Sequence, residues 1–201
     1  MTQHLSMRSG SGWLILIGTI LLSISVGRWW HDHAIGHTSA IAPHAAQADP
    51  LLGQPAPHWV LADLLHPHHV LDSKQLIGHP YLFTVWASWC PACVTEQPVL
   101  QNIATLYRLR MIGYNWKDQS RDAKQWLAEE GNPFTDVVSD DDGTAALDWG
   151  VIAAPESFLV DSNGIVRWIH RGPLTSDRVI SDLSPWLARQ QAVERHAERR
   201  Q

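Results

Sequence analysis

The run Tyr81-Leu82-Phe83-Thr84-Val85-Trp86 is almost wholly apolar and leads, three residues on, into Trp89-Cys90-Pro91-Ala92-Cys93. A short run of aromatic and β-branched residues is the pattern of a buried strand. The proline after it suits the first position of a helix, where no N–H bond is lost. The chain is therefore committed to a strand–turn–helix unit here, with Cys90 at the helix N-terminus and Cys93 one turn further along the same side. These are the only 2 cysteines in the chain. Unpaired N–H groups and the positive end of the helix dipole stabilise a thiolate at Cys90. The spacing also suits a disulfide that opens and closes without backbone movement. A purely structural bridge across so short a loop would contribute only about 2 kcal/mol, and such bridges usually tie distant segments. Structural zinc normally takes four ligands, and no second cysteine pair or suitably spaced histidines stand near the motif. The residues favour a redox dithiol.

At 201 residues the chain is long enough for one ordinary domain plus an appendage. With 17% charged and 45% hydrophobic residues it is globular, and a net charge of -5 gives no reason to expect nucleic acid as a partner. No charged residue occurs from Ser9 to Gly27. As a helix that segment spans about 28 Å, enough for a hydrocarbon core. Trp13 and Trp29-Trp30 suit the two interfacial belts. A cleaved signal peptide has a shorter apolar region, and the small-x-small site Ala46-Gln47-Ala48 lies about twenty residues past the apolar run, too far for ordinary processing. The expected organisation is an uncleaved anchor over 1–30, a flexible linker over 31–50, a folded domain over 51–190 and a polar tail over 191–201. The exported part, with its cysteines, then works in an oxidising compartment.

Along the folded part, residues 58–62 and 69–71 read as an edge hairpin and 81–86 as a central strand. A helix follows from Pro91 to about Arg108, with Val94, Val99, Leu100, Ile103, Leu106 and Tyr107 at core-facing spacing. Residues 111–114 form a second strand, leading to a helix that opens at Ser120 and stops at Gly131-Asn132-Pro133. Val137-Val138, a short helix at 145–147 and a hairpin of Ser157–Val160 with Ile165–Ile169 come next. A last helix near Ser176 turns Val179, Ile180, Leu183 and Leu187 inward. This order fits an α/β thioredoxin-like fold, a central mixed sheet with helices on both faces.

In such a sheet Ala154-Pro155-Glu156 faces the cysteine pair and its proline is cis, an uncommon state for a peptide bond. The Ala154-Pro155 backbone then offers an edge on which a partner peptide docks while a mixed disulfide forms, with Trp89, Pro91 and Ala92 around it. Glu96, three residues after Cys93, stands on its side of the helix and is placed to handle the inner thiol's proton. Glu156 is a second candidate in the same groove. The buried strand has no acid of its own, because Thr84 occupies the place where thioredoxin carries an aspartate. The histidines at 66, 68, 69 and 79 lack a converging spacing and read as surface residues, so no metal or other cofactor is expected.

Together these residues resemble the DsbE/CcmG family, the membrane-anchored thioredoxin-like proteins of cytochrome c maturation. The markers are Val85 to Cys93, Gly113-Tyr114-Asn115-Trp116-Lys117-Asp118, Gly131-Asn132-Pro133-Phe134, Asp141-Asp142-Gly143 and Gly150 to Asp161. Ala153 departs from the family's usual glycine, and the histidine-rich loop is particular to this chain. The resemblance implies a single-pass inner-membrane protein whose catalytic domain faces the periplasm. It implies reduction of haem-binding cysteines of apocytochrome c, directly or through a partner thiol protein. It further implies recharging by a membrane electron donor of the DsbD/CcdA kind, and places Glu96 and Glu156 in the active-site groove. A general envelope reductase and a copper or haem chaperone are the competing readings, and the direction of electron flow is open from the residues alone.

Overall fold

The computed structural model describes residues 49–107, 109–189, 192 and 199. The apolar run at 9–27, nearly all of the expected linker and most of the expected tail lie outside them. Among the described residues no helix is long and apolar enough to cross a membrane.

The described strands are β1 (Val60–Asp63), β2 (Val70–Asp72), β3 (Tyr81–Trp86), β4 (Arg110–Trp116), β5 (Asp136–Asp140), β6 (Glu156–Val160) and β7 (Val166–Arg171). They form one sheet in the order β2-β1-β5-β4-β3-β6-β7. β3, β4 and β5 run parallel, and the remaining pairs are antiparallel. Every residue of β3 is buried, which is why its sequence is a continuous apolar run with no alternation. Two helices, α1 (Pro91–Tyr107) and α2 (Ser120–Glu130), carry the crossovers β3→β4 and β4→β5. The chain then closes with α3 (Ser176–Arg178), a π turn over Val179–Leu183 and further helix to residue 189.

The mixed sheet agrees with the expectation and both faces carry helix, but the α-helices gather on one face and the other has only the 3₁₀ helices Ser73–Leu76 and Ala145–Leu147. Leu82 and Trp86 of β3 share one core with Leu100 and Ile103 of α1, Trp126 and Leu127 of α2, and Val179 and Leu183 of the last helix. Phe83 and Val85 point into the other core, which is roofed by Leu76 and Ala146 of two 3₁₀ turns and by Trp149. The cause is topological. Two right-handed crossovers that step in the same direction across the sheet deliver both helices to the same side.

Three residues expected inside are exposed: Val94, Leu106 and Ile180. The buried stripe of α1 runs through Cys93, Glu96, Leu100 and Ile103, and Val94 and Leu106 stand off it. In the last helix the inward line is Val179, Leu183 and Leu187, which leaves Ile180 outside. Pro185 has no N–H to return to Ser181, and the adjoining turn widens to the π form, with the Ser184 hydroxyl donating to the Val179 carbonyl at 2.9 Å.

Candidate active site

At the C-terminal end of β3 the chain turns through Ala87-Ser88-Trp89 into α1, and Cys90 and Cys93 are joined as a disulfide with a Cα separation of 5.4 Å. The Cys93 N–H donates to Cys90 Sγ at 3.2 Å. The same N–H also donates to the Cys90 carbonyl at 3.1 Å, so an amide of the first helical turn is shared with the outer sulfur, and that contact stabilises a thiolate once the bond opens. Both cysteines are buried, while Trp89 beside them is 52% exposed. Pro91 is exposed and Ala92 half-buried, so the rim of the pair is open to a partner.

The turn is held by a residue that the motif does not contain. Asp118, just past the end of β4, is buried and accepts from the Ser88 N–H (2.6 Å), the Ser88 hydroxyl (2.7 Å), the Asn115 amide (2.9 Å) and the Gln119 N–H (2.8 Å). The Trp89 indole N–H donates to the Lys117 carbonyl at 2.9 Å. One carboxylate therefore stitches the turn before the nucleophile to the turn after the neighbouring strand. In the sequence, Asn115-Trp116-Lys117-Asp118 stands out only as a family marker, with no task attached to its acid. Its available signal was an acid directly following a strand that neighbours the cysteine strand.

Glu96 is fully buried one turn below Cys93. Its Oε2 accepts the Leu174 N–H at 2.9 Å, and its Oε1 has no hydrogen-bond partner among the described residues. Burial pushes its carboxyl up to about 8, against the pull of the Leu174 amide. Such a group exchanges a proton with a thiol near neutral pH. The floor of the site is uncharged, with Thr84 and Ser157 facing each other across β3 and β6, their hydroxyl oxygens 3.2 Å apart.

The Ala154-Pro155 peptide bond is cis. The register Val85↔Glu156 sets Pro155 beside the top of β3, and Ala154 packs against the core that contains both cysteines. Glu156 does not reach into the groove as a proton carrier. Its Oε1 accepts the N–H groups of Ile152 and Ala153, each at 3.1 Å, and its Oε2 meets Arg171. Burial raises its carboxyl, and those amides and the Arg171 charge oppose the rise. With both oxygens engaged, Glu156 is a clamp on the segment before Pro155.

His66, His68, His69 and His79 are exposed. His66 and His69 turn toward Asp63, with ring nitrogens 3.0 and 3.6 Å from its carboxylate. Among the described residues no group of three or more His, Cys, Asp or Glu side chains is placed to hold a metal.

The Redoxin family model matches residues 51–184. The chain is 47% identical to a thiol:disulfide interchange protein DsbE of Xylella fastidiosa, over 88% of this chain and 83% of the relative. It is 42% identical to the DsbE of Escherichia coli strain K12, over 62% of this chain and 67% of that one. Among solved structures, MTB dsbF in its mixed oxidised and reduced forms has a TM-score of 0.55 and 26% identity, covering 61% of this chain and 90% of that one. A secreted thiol-disulfide isomerase from Corynebacterium glutamicum, 17% identical with a TM-score of 0.59 over 66% of this chain and 85% of that one, shares the fold.

Proposed function

This chain belongs to the DsbE family of thiol:disulfide interchange proteins, and from that premise we propose that it reduces disulfides in the periplasm for cytochrome c maturation. It is a thiol:disulfide oxidoreductase whose redox pair is Cys90–Cys93. The observation that carries the proposal is the Cys93 amide aimed at Cys90 Sγ, above a buried acid one turn down the same helix.

In the proposed cycle the reduced protein meets a substrate disulfide along the Ala154-Pro155 edge. The Cys90 thiolate attacks one substrate sulfur, a mixed disulfide forms, and the other substrate sulfur leaves as a thiolate and takes up a proton. Cys93 passes its proton to Glu96 and attacks Cys90 Sγ, which releases the second substrate thiolate and closes the Cys90–Cys93 bond. Two electrons have then moved from the protein dithiol to the substrate disulfide. Recharging needs a dithiol donor, for which a membrane carrier of the DsbD/CcdA kind is the proposed source. The apolar run at 9–27 is the proposed anchor, with the domain on the periplasmic side.

Replacing Cys93 by Ala in the full chain removes the resolving thiol and accumulates the mixed disulfide on Cys90. The expected captive is apocytochrome c, through its haem-binding cysteines, or a thiol protein of the same assembly line. Deletion of the protein is expected to deplete c-type cytochromes, with recovery on adding a small thiol. Normal cytochromes in the deletion refute the maturation assignment and leave a general envelope reductase.

A further inference from the structure

Residues 150–155 form no strand or helix, yet they lead into the edge on which substrate docking is proposed. The Gly150 and Val151 N–H groups donate to the Leu147 and Ala146 carbonyls, and beyond these turn bonds one pair of side chains ties the segment together. Glu156, the first residue of β6, turns its carboxylate back along the segment and accepts the Ile152 and Ala153 N–H groups. Arg171 stands directly opposite Glu156 in the β6–β7 register. Its Nη1 donates both to Glu156 Oε2 and to the Gly150 carbonyl, the latter at 3.0 Å. Its Nη2 pairs with Asp49 at 2.6 Å, and its guanidinium carbon lies 5.8 Å from the centre of the Phe158 ring. The next residue, Gly172, donates its N–H to the Pro155 carbonyl at 2.9 Å. A single guanidinium thus holds Gly150 directly, and Ile152 and Ala153 through Glu156. Ile152, between these ties, is 79% exposed, a large apolar side chain held outward next to the docking edge.

We propose that Arg171 is a positioning residue for substrate docking: by locking Glu156 against the Ile152-Ala153 backbone it fixes the Ala154-Pro155 edge and presents Ile152 to an incoming peptide. The inference rests on the reading of that edge as the docking surface. A planar fork suits the task, because it serves a carboxylate, a carbonyl and a second carboxylate at once, which a single ammonium does not. A small disulfide reaches the cysteines without using the edge, whereas a peptide disulfide has to lie along it.

The test compares the full chain, kept reduced by a recycling dithiol donor whose direct reaction with each substrate is subtracted, acting on a Cys-x-x-Cys-His peptide disulfide and on a small aromatic disulfide. Arg171→Met is expected to raise KM for the peptide about tenfold relative to KM for the small disulfide, with kcat on the peptide changed by less than about twofold. Amide hydrogen exchange at Ile152 and Ala153 is expected to quicken by about tenfold or more in the same variant. Arg171→Lys recovers part of the loss. The double variant Glu156→Gln/Arg171→Met recovers most of it, since a neutral amide still accepts both N–H groups and strands no buried charge. Should Arg171→Met fail to fold, Arg171→Lys and Asp49→Asn carry the test, each with a smaller rise in the same KM ratio. An unchanged KM ratio in a wild type that turns over the peptide overturns the inference, as does an equal loss on both substrates. Wild-type activity on the small disulfide alone overturns the docking reading itself.

Discussion

Replacing Glu96 by Gln tests the proton-handling scheme without touching a sulfur. In the oxidised protein the Glu96 carboxyl is lifted from 4.5 to about 8, chiefly by burial. A carboxyl that titrates higher in the folded state than in the unfolded one keeps its proton longer when folded. Its stabilising effect is therefore complete below the unfolded value and is lost as pH rises toward the folded value. At about 1.4 kcal/mol per pKa unit, the whole descent amounts to about 5 kcal/mol, of which about 3 kcal/mol falls between roughly pH 5 and pH 8. Glutamine has no proton to lose. It keeps the bond from the Leu174 N–H, but its amide group lies where Glu96 Oε1 has no partner among the described residues, at a cost of about 1–3 kcal/mol. Urea unfolding of both oxidised proteins across this range is expected to show the wild type more stable at the acid end. The Gln variant gains on it by about 3 kcal/mol toward the alkaline end. All other titrations cancel in the difference. A difference that stays level to within about 1 kcal/mol refutes the reasoning, since Glu96 would then titrate as an ordinary carboxyl, too weak a base to hold the Cys93 proton near neutrality.

Asp118→Ala strands the buried Asn115 amide and frees the Ser88 turn, and is expected to cost about 3 kcal/mol in urea unfolding; a loss under about 1 kcal/mol denies Asp118 its stitching role. Gly113→Ala drives a new Cβ to 2.5 Å from the Phe134 ring, which stacks on Trp86. A loss of about 1–3 kcal/mol with an altered near-ultraviolet dichroism is expected, and an unchanged spectrum and midpoint would contradict that packing. Leu183→Ala empties a fully buried site between the last helix and the sheet, for an expected loss of about 2–5 kcal/mol by thermal unfolding; a loss below about 1 kcal/mol means that the helix does not pack there.

The parts of the fold written in local pattern were readable from the chain. The unbroken apolar run at 81–86, the stop at Gly131 (φ 92°) and the hairpin turn at 161–164 each state their geometry within a few residues. The helix arrangement was not so local, because it depends on the direction of strand addition across the sheet, for which periodicity carries no sign. The candidate site divides the same way. Cys90 directly precedes α1 and Cys93 and Glu96 lie within it, so spacing along the chain is enough to set the three side by side. Asp118 meets Ser88 across 30 residues and Arg171 meets Glu156 across 15, and neither meeting leaves a pattern in either segment. The sequence shows Glu156 only as an acid next to the proline. Its task became apparent only with the backbone amides it serves.

Trp149 ends the roof of the core covered by the 3₁₀ turns, buried flat against Phe83 with ring centres 4.2 Å apart and planes within 6°, and Gly150 follows it immediately. The segment proposed for docking is thus fastened at its root to the central strand that leads into the cysteines. An edge fixed in this way loses little conformational entropy when a peptide settles on it, so most of the ordering cost of binding falls on the partner. Partners that arrive already unfolded and extended, with no structure of their own to melt, are favoured over compact proteins bearing the same disulfide. On the docking proposal, the aromatic stack, in the core on the other side of the sheet from the cysteines, thereby helps to decide what kind of chain they meet.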